Sequence, residues 1–139
     1  MSDECCTEAE IVTLVHRFYG RIRADEQLGP VFNAHIDDWD EHLDTMVKFW
    51  SSLLRRTARF SGRPMPKHAV LPDLTASMFH HWLDLFDLTT QELNNPAMAT
   101  QAQDFARRIA RQLWMGYQIN NFPDRPVSDL YALTGSVSQ

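Results

Sequence analysis

Long apolar runs are missing from this chain: no window approaches the ~18 apolar residues of a membrane span, and no basic start leads into an apolar stretch. A membrane partner and a secretory leader are therefore not expected, and the expected location is the cytoplasm. Alternating Val/Ile/Thr-rich stretches are also lacking, so sheet is absent or negligible and the fold class is all-α. Clustered positive charge is scarce. The formal net charge of −5 argues against nucleic acid as a partner, and the small groups Arg55-Arg56 and Arg107-Arg108-Arg111 read as solvated helix faces. Cysteine is limited to the neighbours Cys5 and Cys6, which have neither metal-ligand nor Cys-x-x-Cys spacing. Two adjacent cysteines close only a strained ring with each other, so they read as incidental, exposed thiols. No repeat, low-complexity tract, flavin motif or nicotinamide motif is present.

What is present is a supply of large side chains on helical periods. Eight Phe, four Trp and six Met in 139 residues are generous for lining a cavity, and the length suits one domain, 1–139, with a short lead over 1–6 and an irregular extension over 122–139. Thr7 and Glu10 have capping-box spacing and precede Ile11, Leu14, Val15, Phe18, Tyr19 and Ile22. That helix ends near Asp25, and Leu28-Gly29-Pro30-Val31-Phe32 starts a tight connection in which Phe32 turns inward. Asp37-Asp38 opens a helix to about residue 56 that carries Trp39, His42, Leu43, Met46, Val47, Phe49, Trp50, Leu53 and Leu54. Thr57 to Lys67 reads as a loop. A helix starting near Asp73 or Thr75 carries Met78, Phe79, Trp82, Leu83, Leu85 and Phe86, a nearly all-round apolar pattern that implies deep burial. Asn94-Asn95-Pro96 starts the last helix, which runs to about Asn121. Beyond it only Leu130-Tyr131 and Leu133 are available to pack.

His68 is the most informative residue, because Pro64, Pro66 and Pro72 break regular structure on both sides and mount its imidazole between two apolar helices. That arrangement suits an axial ligand to haem iron, which needs one strong ligand and an apolar slot. Leu71 on one side and Phe18, Phe32, Met46 and Phe49 on the other would line such a slot. Taken alone, a histidine among prolines reads first as a surface-loop residue. Across the slot, Tyr19 and Trp82 each offer a hydrogen-bond donor that would stabilise a diatomic ligand acquiring negative charge, and each also reads as a large core residue. His42 lies one turn before Met46 and has three open roles: gating, bonding to the ligand or swinging into solvent. Arg59, Arg63 and Lys67 could pair with haem carboxylates or merely keep the loop soluble. His80 and His81 point about 100° apart on a helix and cannot share one ion; with His16 and His35 they read as surface or boundary residues.

In this order the residues resemble a truncated haemoglobin, most specifically its third group. The resemblance runs from about Ile11 to Asn120 and is strongest at Phe18-Tyr19, Leu28 to Asn33, His42 through Phe49-Trp50, Pro66-Lys67-His68 and Phe79 to Leu83. It implies a shortened globin in a two-over-two helical sandwich. It further implies haem b as cofactor, His68 as proximal ligand, and Tyr19, His42 and Trp82 as the distal residues, with Phe32 packed against the porphyrin. The paired glycines of other groups are missing here, which favours the third group. The extension after Asn121 is not explained by the resemblance.

The function so implied is binding of dioxygen and other diatomic gases at a His-ligated haem iron, with retention tight enough to suit chemistry or sensing better than transport. An enzymatic alternative consumes the oxygen by oxidising nitric oxide to nitrate or by peroxidase-like turnover, and requires an external reductase because the chain has no motif for one. A third reading, from a different class, is a cofactor-free helical interaction module.

Overall fold

The computed structural model describes residues 5–56 and 74–130. These form five helices: α1 Glu8–Ala24, α2 Gly29–His35, α3 Trp39–Arg55, α4 Ala76–Gln91 and α5 Pro96–Asn121. No strand occurs among the described residues, and none of these helices is long and apolar enough to cross a membrane.

Four of the five helices begin at a side-chain cap legible in the sequence. The Thr7 hydroxyl accepts the Glu10 N–H at 3.1 Å while the Glu10 carboxylate accepts the Thr7 N–H at 2.9 Å, an exchange worth about 1 kcal/mol. Asp38, Thr75 and Asn95 cap α3, α4 and α5 by accepting from Glu41, Met78 and Met98. Helix α2 differs from the expected tight connection. Pro30 in its first turn presets φ and lacks the N–H that a first turn leaves unbonded. The Leu28 carbonyl then accepts the Phe32 N–H at 3.0 Å, so the segment winds. Gly29 is required by close approach: a Cβ there would stand 2.7 Å from the Arg23 carbonyl oxygen at the end of α1.

The helices pack as two pairs, α1 with α3 and α4 with α5; α1 also meets α4, α3 meets α5, and α2 lies against α1. This is the two-over-two sandwich of the sequence reading. Ala102, Ala106 and Ala110 form a fully buried stripe on α5 at four-residue spacing, and such small side chains let neighbouring helices approach closely. Where α1, α3 and α4 converge, Phe86 is sandwiched between Trp50, 5.0 Å away, and Trp82, 5.8 Å away. Phe18 meets Phe86 edge-on at 5.0 Å.

Several expectations change once the chain is folded. Cys6 is buried rather than exposed, and burial, with Cys5 beside it, pushes its thiol up to about 12, which makes it a poor nucleophile. Arg55 is no solvated charge: it turns back to an ion pair with Glu8, which also accepts from Ser51. Burial of α4 is one-sided, with Leu88 46% exposed. His80 bonds the Leu130 carbonyl at 3.0 Å and His81 bonds Asp25 at 2.7 Å, so both tie distant segments together. The chain after α5 is irregular, as expected, yet held down to Leu130: Gln118 exchanges hydrogen bonds with Ser128, Arg111 pairs with Asp129, and Leu130 is buried. Tyr131 and Leu133 lie outside the described residues.

Candidate functional site

An apolar cavity of about 440 Å³, counting its mouth, opens between α2, α4 and α5. Leu28, Phe32, Leu74, Met78, Phe79, Trp82, Ala110 and Leu113 line it. Met78, Phe79 and Trp82 fall at i, i+1 and i+4 on α4, which places them on one helical face. The only polar atom among these side chains is the indole nitrogen of Trp82, so water gains little by entering.

Of the residues singled out from sequence, Phe32 and Trp82 are on this wall. Phe18 stands behind it, fully buried, with its ring edge-on to Trp82 at 5.2 Å. Met46 and Phe49 are half-buried against the core, Phe49 edge-on to Trp50, and neither lines the cavity. His68, Lys67 and Leu71, with Arg59 and Arg63, lie outside the described residues. The wall residues that the sequence reading did not place there are Leu28, Leu74, Met78, Phe79, Ala110 and Leu113. Their apolar spacing would look the same in a filled core.

Beside Phe32 sits a cluster of rings from three helices. Tyr19 lies 6.3 Å from Phe32, 6.1 Å from Trp39 and 5.0 Å from His42, the last edge-on at 89°. Burial alone pushes the Tyr19 phenol well above its ordinary range, so it stays protonated and can donate. Among the described residues neither the Tyr19 hydroxyl nor the Trp82 indole N–H has a hydrogen-bond partner. Two donors that no described residue accepts, close to an apolar cavity, suit a ligand that accepts hydrogen bonds.

The two walls are also tied together from outside. Asp25 accepts the Gln27 and Leu28 N–H groups at 2.9 and 2.8 Å and faces the His81 imidazole at 2.7 Å. Burial pushes its carboxyl up, but the bonds from Leu28, His81 and Gln27 outweigh that and hold it below the usual carboxylate range. Leu28 and Trp82, each a wall residue, are next to residues of this junction.

The folded chain superimposes on the crystal structure of a group III truncated haemoglobin from Campylobacter jejuni with a TM-score of 0.75 at 28% sequence identity, covering 91% of this chain and all of that one. No family model matches the sequence. It is, however, 32% identical over 114 residues to the group 3 truncated haemoglobin ctb of Campylobacter jejuni, an alignment spanning 79% of this chain and 90% of that protein. The chain belongs to the group 3 truncated haemoglobins. For this globin the residues present fit a haem: the cavity wall is apolar, the Trp82 indole is on it, and Tyr19 packs beside the wall residue Phe32. No group of three or more metal-ligating side chains occurs among the described residues, and haem asks for only one axial imidazole.

Proposed function

We propose that this globin binds haem b in the cavity between α2, α4 and α5, with His68 as the axial ligand, and takes up dioxygen and other diatomic gases. The observation that carries the proposal is the pairing of an apolar cavity with the unpartnered donors of Tyr19 and Trp82. Haem, when bound, supplies a ferrous iron that attracts a diatomic gas and shifts electron density onto it. The chain's own residues do the rest. Tyr19 keeps its proton because burial disfavours the phenolate, and Trp82 has an N–H that only donates. In apolar surroundings, a donated bond to a charged acceptor is worth about 1.5–3 kcal/mol. Two such bonds favour slow release over rapid exchange. Phe32, Met78, Phe79 and Leu113 exclude water and offer flat apolar contact. His42 is in edge-on contact with both Tyr19 and Trp39. Lys67 and Leu71 flank His68 in sequence, as a charge for a haem carboxylate and an apolar contact. A cytoplasmic location, and a separate reductase wherever the bound gas is consumed, complete the proposal.

The test is direct. Purified chain supplied with haemin should show an intense porphyrin absorption band, and His68→Ala should weaken haem retention while leaving the far-UV helical signal in place. A folded chain that stays colourless after haemin addition would point instead to an interaction module.

A further inference from the structure

Trp39 is half-buried, yet its firmest contacts are polar. Its indole N–H donates to the Asn33 side-chain oxygen at 3.2 Å, and the Arg23 guanidinium lies 4.6 Å from its ring centre. Asn33 in turn donates to the Arg23 backbone carbonyl at 3.4 Å. Arg23 closes α1, Asn33 rides on α2 and Trp39 opens α3, so the three residues form a closed clamp where the chain turns between helices. The clamped ring faces His42 edge-on at 5.5 Å, and His42 faces Tyr19 edge-on at 5.0 Å.

We propose that Trp39 is a positioning residue for Tyr19: anchored by Asn33 and Arg23, it presses on the tyrosine ring directly and through His42, and so fixes where the phenol aims its hydrogen. A phenolic O–H lies near the plane of its ring, so the ring plane sets the direction of donation. No described residue accepts from Tyr19, so among them its ring plane is set by its ring neighbours. Among the described residues, Phe18, Phe32, Trp39 and His42 all contact the ring. Edge-to-face ring contacts are directional, which makes such a cage effective.

The inference rests on the reading that Tyr19 donates to a bound gas, and its test separates the two. In the haem-loaded full chain, Trp39→Ala should release dioxygen about 10-fold faster, Asn33→Ala about 3-fold faster, and Trp39→Phe, which keeps a ring against His42, less than about 3-fold faster. In a Tyr19→Phe background, Trp39→Ala should add less than about 2-fold, because the donor it positions is gone. Nuclear magnetic resonance gives a readout that needs no gas: the Tyr19 ring protons, with or without haem, should shift in Trp39→Phe and in Asn33→Ala. Equal effects of Trp39→Ala with and without the Tyr19 hydroxyl, or unmoved Tyr19 resonances, would overturn the inference even if haem binds normally. Should Trp39→Ala fail to fold, Trp39→Phe and Asn33→Ala carry the same comparison. A wild-type chain that takes up no haem would sink the functional reading while leaving the resonance test of the clamp intact.

Discussion

Helix α4 has two flanks along one apolar face, the N-terminal turns and the C-terminal turns, with opposite fates. On one, Phe86 is fully buried between Trp50 and Trp82, with Phe18 closing the edge. On the other, Met78, Phe79 and Trp82 face the open apolar cavity. Trp82 belongs to both, one contact on Phe86 and another on open space. Both flanks are equally apolar, so hydrophobicity does not distinguish them; what differs is whether a partner helix supplies enough volume. Toward α1 and α3 the aromatic rings fill the gap. Toward α2, a short helix, and α5, which offers Ala110 and Leu113 there, the gap stays open. The filled flank specifies the fold, and the open flank leaves apolar surface available to a flat hydrophobic guest.

The sharpest break in this comparison is Phe86→Ala, which should lower unfolding free energy by about 3–5 kcal/mol in urea titration. A loss under about 1 kcal/mol would mean the stack is not the core. Next come two equal substitutions on one helix. Ala102→Leu enters close-packed surroundings and should cost about 1–3 kcal/mol, whereas Ala110→Leu faces the cavity and should cost less than about 1 kcal/mol while impairing haem uptake. Equal costs would show that the cavity is closed in solution.

Asp25→Asn tests the junction that spans the two walls and should cost about 1–2 kcal/mol, because it weakens the turn at Gln27 and Leu28 and removes the carboxylate that faces His81. The pH dependence has a defined sign. The folded carboxyl titrates below its unfolded value of about 3.9, so its stabilisation is complete above that value and disappears as pH falls through the lowered one. Acid unfolding of Asp25→Asn should therefore be less steep in that range than that of the wild type. Away from the cavity, the smallest effect expected is from Thr7→Ala, about 1 kcal/mol, since the cap it removes touches neither flank.

The helix starts were legible because a cap is a local device: Thr7 with Glu10, Asp38 with Glu41, Thr75 with Met78 and Asn95 with Met98 each act across three residues. The donors Tyr19 and Trp82 were also legible, as polar tips on apolar stripes. Helix α2 was missed because Pro30 reads as a breaker when it is in fact a starter. His81 on Asp25 and Asn95 on the Cys5 carbonyl were missed because these partners are 56 and 90 residues apart in sequence. No periodicity encodes such a meeting. The burial of Cys6 escaped for the same reason.

The order of residues thus decided which segments coil, where each coil begins and which stripe of each is apolar, because those outcomes depend on neighbours within a turn. Only the tertiary structure decided which apolar stripe would be filled and which left hollow, that Ala110 would face space while Ala102 would not, and that Trp39 would reach Tyr19 through His42. Those outcomes depend on the sum of side-chain volumes brought together from several helices, a quantity no single stretch of chain contains.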